Sequence, residues 1–264
     1  MTSAPAAGDG GRPWLLVPAV VPAGIAAGWA LALVADLSGR AESFNHDALI
    51  GGGLPPLAAL VLFLVAWQAM IAAMMLPSSL PLIRLFAAAS RGQPHPGTAM
   101  AGFLSGYALV WTGFGGVAFL GDLVLHRMVE AQPWLHERPW LIAGGVLALA
   151  GAFEFSDLKD RCLSKCRHPG PYLLAHYRRG VSGAFRLGVG HGLFCLGCCW
   201  ALMLVMFAAG VAVLWWMAAL TALMVYEKAG RHGERLKPIA GAVLLGLAGL
   251  MVVSGILSPA ASGH

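Results

Sequence analysis

Only 11% of the 264 residues are charged and 58% are hydrophobic, whereas a soluble domain carries about 25% charged residues. Several uninterrupted apolar stretches approach the roughly 20 residues that a helix needs to cross a bilayer. These values exclude a soluble globular protein, and we expect an all-α, polytopic helical membrane protein. The net charge of +5 does not indicate nucleic acid as a partner, because the basic residues are sorted by loop, as membrane topology requires.

Seven transmembrane helices are predicted along the chain. Residues 1–13 are small and polar and are expected to form a disordered tail, while residues 14–258 form a single transmembrane domain. A basic cytoplasmic loop at 156–185 separates the fourth span from the fifth. The spans are expected at 14–35, 57–76, 98–123, 139–155, 187–209, from the short link 210–213 to 226, and 239–257.

Two features of these spans bear on how the helices pack. The second span continues past Pro77, which is expected to kink it, as a short segment ending near Arg84. Such a proline is tolerated in a membrane when a neighbouring helix satisfies the carbonyl group that it frees. In the third span, Gly102 and Gly106 form a pair of small residues four apart, which suits close helix packing.

The distribution of basic residues predicts the orientation. With the amino terminus in the cytoplasm, 14 of the 17 Lys and Arg residues lie in inner segments. Only Arg40, Arg127 and Arg138 remain outside. The positive-inside rule therefore predicts a cytoplasmic amino terminus and an external carboxyl terminus.

The fifth span carries the strongest functional signal. Residues 190–206 read GHGLFCLGCCWALMLVM and place His191, Cys195, Cys198 and Cys199 within an apolar run. At about 100° per residue these four lie within roughly a 100° arc of one helix face. An ionisable side chain in a membrane is costly and suggests function, and thiols beside it are soft-metal or redox ligands. We predict that these four residues bind a metal ion.

The second span supplies methionines at a matching depth. Counted at about 1.5 Å per residue, the thiols lie roughly 13–19 Å inside the inner membrane edge, Met74 and Met75 about 13–15 Å and Met70 about 21 Å. We therefore predict that Met74 or Met70 completes the metal site, with Met75 as a further candidate. Thiolates and thioethers favour Cu(I), while a Cys/His set also suits Zn(II), for which methionine is a poor ligand. Copper is the expected metal and zinc the alternative.

A second cysteine pair lies in the basic inner loop. Cys162 and Cys166 are spaced four residues apart with His168 close behind. We predict that they form a cytoplasmic point for metal exchange. A zinc clip that pins the loop, or a redox pair, are the alternatives.

Two other functional classes remain open. Cys195 and Cys198 form a CxxC motif, so the chain could instead be an intramembrane thiol–disulfide relay. A scaffold subunit whose thiols only pack between helices is the third possibility. The sequence contains no Walker motif, serine-nucleophile elbow or HExxH motif, so nothing identifies an enzyme or ATP use.

Several motifs together resemble a known family. They are Met74-Met75-Leu76-Pro77-Ser78, Gly106-Tyr107 to Trp111 with Phe114-Gly115, the run 158–167 (LKDRCLSKCR), and above all the run 190–203 (GHGLFCLGCCWALM). Across about Trp67 to Leu257 the chain resembles a bacterial family catalogued as a domain of unknown function and described as predicted metal-binding integral membrane proteins. The resemblance implies that the matching positions are Met74, Met75, Cys162, Cys166, His191, Cys195, Cys198 and Cys199. It supplies no reaction or substrate.

Taken together, the sequence predicts a multi-pass protein of the bacterial inner membrane that binds a soft transition metal, most simply Cu(I), and hands it on. Its expected partners are the lipid bilayer, the metal ion, and a metal chaperone or another membrane subunit.

Overall fold

The chain folds into an all-helical bundle. The computed structural model describes residues 18–39, 55–209 and 214–257, and within these ranges there are ten helices and no strand. The predicted tail at 1–13, the start of the first span and the loop around Arg40 lie outside the described residues. The helices are α1 (Val20–Leu37), α2 (Pro56–Ser90), α3 (Pro96–Ala131), α4 (Pro133–His136), α5 (Pro139–Phe153), α6 (Asp157–Arg167), α7 (Pro169–His176), α8 (Val181–Ala209), α9 (Leu214–Ala229) and α10 (Gly233–Leu257).

The expectation of an all-α polytopic membrane fold is confirmed. Helices α1, α2, α3, α8 and α10 are long and apolar enough to cross a membrane. Helices lie at the other two predicted spans as well, but α5 has 15 residues and α9 has 16. At about 1.5 Å per residue each is shorter than the ~30 Å hydrocarbon core. Helix α5 is followed by α6 after a 65° bend, and the pair together could count as a sixth, broken span.

Helix α2 is longer than predicted. It runs without interruption through Pro77 to Ser90, so the predicted end near Arg84 is wrong. Proline at position 77 lacks an N–H and therefore frees the carbonyl of Ala73, four residues earlier. The Trp29 indole of α1 donates a hydrogen bond to that carbonyl at 3.1 Å. A neighbouring helix thus satisfies the freed group, as the sequence analysis expected.

Helices α3 and α8 cross in close contact at glycines. A Cβ atom on Gly106 would lie 2.2 Å from the Phe185 carbonyl oxygen, and one on Gly188 would lie 2.0 Å from the Phe103 carbonyl oxygen. Gly102 makes a similar approach to Val181. The predicted role of the Gly102 and Gly106 pair is confirmed, because any larger residue would push the two backbones apart.

The predicted loop at 156–185 contains α6 and α7. The Ser156 hydroxyl caps α6 by accepting a hydrogen bond from the Lys159 N–H at 3.2 Å. Asp157 lies in the first turn of α6 and Arg167 in the last, an order that complements the helix dipole. Helix α6 packs against α8, where a Cβ atom on Gly197 would lie 2.5 Å from the Cys162 sulfur.

Ion pairs connect α6 to three other helices. The buried Lys159 ammonium pairs with Glu154 at the end of α5 and, at 2.8 Å, with Glu227 of α9. Lys237 of α10 pairs with Asp160. Lys159 and Lys237 were counted among the cytoplasmic cations that set the topology, yet both are buried, because each has a carboxylate partner that offsets the cost of desolvation.

Candidate metal centre

Three thiols of α8 point into the bundle. Cys195, Cys198 and Cys199 are 0%, 1% and 1% exposed, so none of them faces lipid. They belong to one buried cluster that also contains the methionines of α2. The soft donor atoms of two neighbouring helices therefore share one interior, as their matching depths predicted.

Four sulfur atoms form a continuous series across three helices. The Cys166 sulfur of α6 lies 4.0 Å from the Cys198 sulfur of α8. The Cys198 sulfur lies 3.9 Å from that of Cys199, which in turn lies 3.8 Å from the Met75 sulfur of α2. We call Cys166, Cys198, Cys199 and Met75 the sulfur chain.

The spacing within the sulfur chain fits metal coordination. Sulfur ligands lie about 2.3 Å from a transition metal, so two of them are about 3.8 Å apart in tetrahedral geometry and about 4.0 Å apart in trigonal geometry. Each neighbouring pair in the chain has this separation without any change of backbone. Within residues 18–39, 55–209 and 214–257, no group of three or more His, Cys, Asp and Glu side chains is arranged to hold a metal ion together. The donors in range are pairs of cysteine sulfurs and the thioether of Met75.

A buried lysine lies against two of the thiols. The Lys228 ammonium of α9 is 3.1 Å from the Cys195 sulfur and 3.5 Å from the Cys199 sulfur. It also donates a hydrogen bond to the Ser78 hydroxyl of α2 at 3.0 Å. Lys228 was expected to face the cytoplasm, but it is 5% exposed. The site therefore contains a cation that the sequence analysis assigned to solvent.

In the described part of the chain, His191 is linked to the thiols through two hydroxyl groups. Its Nε2 atom lies 3.1 Å from the Ser79 hydroxyl, which donates to the Tyr107 hydroxyl at 3.2 Å. The Tyr107 hydroxyl lies 3.1 Å from the Cys195 sulfur. The imidazole is stacked on the Tyr107 ring, with ring centroids 5.6 Å apart. The structure thus places His191 at the end of a hydrogen-bonded series that leads to Cys195.

The remaining predicted ligands lie nearby with different neighbours. Met70 and Met74 are buried in the same cluster as the thiols. Cys162 is half-buried and packs against Gly197 of α8. The sulfur–sulfur contacts found among the described residues do not include these three side chains. Their role as ligands stays a prediction.

Helix α7 closes the site near Cys166. The Tyr172 hydroxyl occupies the space beside Gly190, where a Cβ atom would lie 2.3 Å from the phenol oxygen. Its ring meets Phe194 edge-on, with centroids 5.5 Å apart. Burial, followed by the charge of nearby Cys166, raises the pKa of Tyr172 to about 12. The phenol therefore stays neutral at physiological pH and packs as an uncharged group.

All five cysteines are free thiols. A thiol–disulfide relay was expected to use a Cys195–Cys198 or a Cys162–Cys166 pair. Instead, the cysteine contact that links two different helices joins Cys166 to Cys198. Helix α6 thus directs its second cysteine, at the end nearer Arg167, toward the thiols of α8.

Four polar groups of this site, Ser78, Ser79, Tyr107 and Lys228, were not predicted as site residues, although Ser78 and Tyr107 lie in motifs that carry the family resemblance. Ser78 and Ser79 interrupt an apolar run directly after Met74-Met75-Leu76-Pro77, and two hydroxyls at that depth were a usable signal. Lys228 gave no such signal, because it follows the apolar run of α9 at the place where a solvent-facing cation is ordinary.

Comparison with known proteins agrees with this chemistry. A family model named PpoB2 and described as a copper chaperone matches residues 64–252, a range that holds every member of the sulfur chain. No curated protein and no solved structure matches the chain.

Proposed function

The chain belongs to the PpoB2 copper chaperone family, and from that premise we propose that it binds Cu(I) inside the membrane and hands it on through the sulfur chain. Membership confirms the expected likeness to a metal-related bacterial family. A copper-related function follows from the family, and the long apolar helices make the chain a membrane protein. The intramembrane site, the monovalent ion and a bacterial inner membrane are our proposal.

The sulfur spacing carries this proposal. Steps of 4.0, 3.9 and 3.8 Å link Cys166 to Met75 through Cys198 and Cys199. Adjacent sulfurs at this separation can share one ion, because each reaches the usual metal–sulfur distance of about 2.3 Å. Two thiolates and a thioether are soft donors, which Cu(I) prefers, whereas zinc binds methionine poorly.

Ligand exchange along the chain would move the ion without redox chemistry. At each step a new Cu–S bond forms before an old one breaks, and the ion keeps its single positive charge. Cys166 would be the end of the sulfur chain nearer the protein surface, here called the outer end, since it lies on α6 and is 8% exposed. Met75 would be the inner end, since it is fully buried. Cys162, on the same face of α6, would serve exchange with a metal chaperone or another membrane subunit.

Metal analysis of the purified protein tests the proposal. The full-length protein, produced in copper-supplemented cells and purified in detergent, should retain copper in roughly equimolar amount. The Cys198→Ser/Cys199→Ser variant should lose it, because the centre of the sulfur chain is removed. Met203→Leu is the control, since it removes a buried sulfur of the same helix but leaves the four sulfurs of the chain in place, and it should keep its copper.

Other results would point elsewhere. Equal copper content in wild type and the double variant would end the proposal, and zinc in place of copper would contradict the choice of metal. Mass spectrometry after alkylation covers the thiol–disulfide relay, since a Cys166–Cys198 disulfide in protein purified without reductant would support that function instead.

A further inference from the structure

The bundle buries three lysines, and one of them differs in its partners. Lys159 pairs with the carboxylates of Glu154 and Glu227, and Lys237 pairs with that of Asp160. Lys228 contacts Ser78, Cys195 and Cys199. In the part of the chain that the structure describes, no carboxylate forms an ion pair with it.

A buried ammonium group without a carboxylate needs another source of negative charge. The atoms within reach of Lys228 that can carry such charge are the sulfurs of Cys195 and Cys199, at 3.1 and 3.5 Å. Cys199 is also a member of the sulfur chain, and so binds metal as a thiolate under the proposed function. The lysine is therefore arranged to neutralise a loaded metal site.

We propose that Lys228 sets the charge of the ion that the site accepts, and so selects monovalent Cu(I) over divalent metals. The inference rests on the proposed function and deepens it. Two thiolates with one Cu(I) ion carry a net charge of −1, and the ammonium brings the buried assembly to zero. Two thiolates with Zn(II) carry no net charge, so the same ammonium would leave +1 in a low-dielectric interior, which is strongly unfavourable.

A further hydrogen bond holds the ammonium beside the inner end of the sulfur chain. The Ser78 hydroxyl accepts its hydrogen bond at 3.0 Å while donating its own to the Met75 carbonyl at 2.9 Å. Ser78 thus ties Lys228 to the same turn of α2 that supplies the thioether of the sulfur chain. The cation and the inner metal ligand therefore belong to one hydrogen-bonded unit, so that fewer groups have to be ordered when an ion binds.

Competition titrations on the full-length protein in detergent test the assignment. The affinities of wild type, Lys228→Leu, Lys228→Arg and Lys237→Leu are measured for Cu(I), Ag(I) and Zn(II), each against a chromophoric chelator. Lys228→Leu removes the charge without adding a sulfur donor, and should lower the ratio of Cu(I) to Zn(II) affinity by roughly tenfold or more. Ag(I), a monovalent ion of the same soft class, should follow Cu(I).

The two other variants separate charge from volume. Lys228→Arg keeps the charge and should keep most of the preference for Cu(I) and Ag(I). Lys237→Leu removes a buried lysine away from the thiols and should leave the ratio unchanged. Gel filtration and helical content establish that each variant is folded.

The outcomes distinguish this inference from the proposed function. If wild type binds no Cu(I), both fail. If wild type binds Cu(I) but Lys228→Leu has the same Cu(I) to Zn(II) ratio, only the charge-selection role is overturned. That role is also overturned if Lys228→Arg loses the preference as far as Lys228→Leu does, since charge would then not be the cause.

Discussion

Met75 differs from the other three members of the sulfur chain because its sulfur cannot ionise. It brings a soft donor from α2 without adding a negative charge to the interior. Its neighbour Met74 is just as buried, but side chains one residue apart on a helix point about 100° apart. The Met75 sulfur contacts the Cys199 sulfur, so Met75 is the methionine whose replacement we expect to weaken metal binding.

Replacing Met75 with leucine should weaken Cu(I) binding. The change conserves volume and removes only the thioether, so we expect the affinity to fall roughly tenfold, which corresponds to about 1.4 kcal/mol, with little effect on folding. Met70→Leu is the control, because its sulfur has no cysteine contact among the described residues. Chelator competition measures both variants, and an equal loss in the two would show that Met75 has no special place.

At single positions, sequence patterns predicted the helix face on which a residue lies, but not the residue of another helix that it contacts. The spacing of Cys195, Cys198 and Cys199 predicted one buried helix face, since helical periodicity alone determines it. His191 was placed on that face correctly, but its hydrogen bond to Ser79 depends on how α2 and α8 are rotated about their axes. The burial of Lys228 depends on where α9 ends relative to α2, and one sequence does not contain that information.

Helices α3 and α8 approach each other closely at glycines of both helices. Their crossing at Gly188 and Gly106 sets the position of α8 and therefore of its thiols. Small residues allow this contact, and van der Waals packing stabilises it.

Gly188→Ala should destabilise the bundle. Its Cβ atom would lie 2.0 Å from the Phe103 carbonyl oxygen, so the helices must separate, at a cost of about 1–3 kcal/mol. Gly113→Ala on α3 is the control, since nothing lies within 4 Å of its added Cβ atom among the described residues. Thermal unfolding in detergent, followed by circular dichroism, should show a lower midpoint for Gly188→Ala only. A midpoint unchanged from wild type would contradict the close crossing.

Lys159→Met should destabilise α6 more than any exposed substitution on the same helix. It leaves the buried carboxylates of Glu154 and Glu227 without their cation, and breaking such a buried pair costs about 3–5 kcal/mol. Lys165→Met is the matched control, because Lys165 is exposed. Denaturant unfolding in detergent compares the two, and equal stabilities would mean that this ion-pair network contributes nothing.

Periodicity and hydropathy predicted the long apolar helices well, but they did not predict that a charged segment would be helical. The apolar run of α2 predicted a span and its continuation past Pro77, but not its extension to Ser90. The carbonyl that Pro77 frees is satisfied by Trp29 of another helix, a partner that the α2 segment alone does not reveal. The run 157–167 looked like a solvated loop because it is rich in charge. It forms α6 because those charges pair with partners on α5, α9 and α10.

For the molecule as a whole, the topology is the prediction that remains most open to direct measurement. Gly92 lies between α2 and α3, and Gln132 lies between α3 and α4. In the Cys162→Ser background, a membrane-impermeant maleimide should label Gly92→Cys only in inverted vesicles and Gln132→Cys only in right-side-out vesicles. The reverse pattern would place the amino terminus outside and contradict the predicted orientation.

The class of the whole molecule followed from composition, whereas its arrangement did not. Low charge and long apolar runs are sufficient to predict a polytopic helical protein. Which helices are neighbours depends on contacts between residues far apart in the chain, such as Cys199 with Met75 or Lys228 with Ser78. The family resemblance marked all four members of the sulfur chain in advance, but the order in which they contact one another is set by packing.

Cys166, the outer end of the sulfur chain, lies on α6, and some of the ion pairs that hold α6 in place are exposed to water. Lys159 is 0% exposed, but Asp160, the partner of Lys237, is 58% exposed, and Glu234, which lies 3.5 Å from Arg167, is 74% exposed. Dissolved salt weakens exposed pairs and leaves buried ones almost untouched. A rise in ionic strength would therefore weaken the attachment of α6 to its neighbours near Cys166. Cys198, Cys199 and Met75 would stay in place, because they are held by steric contact.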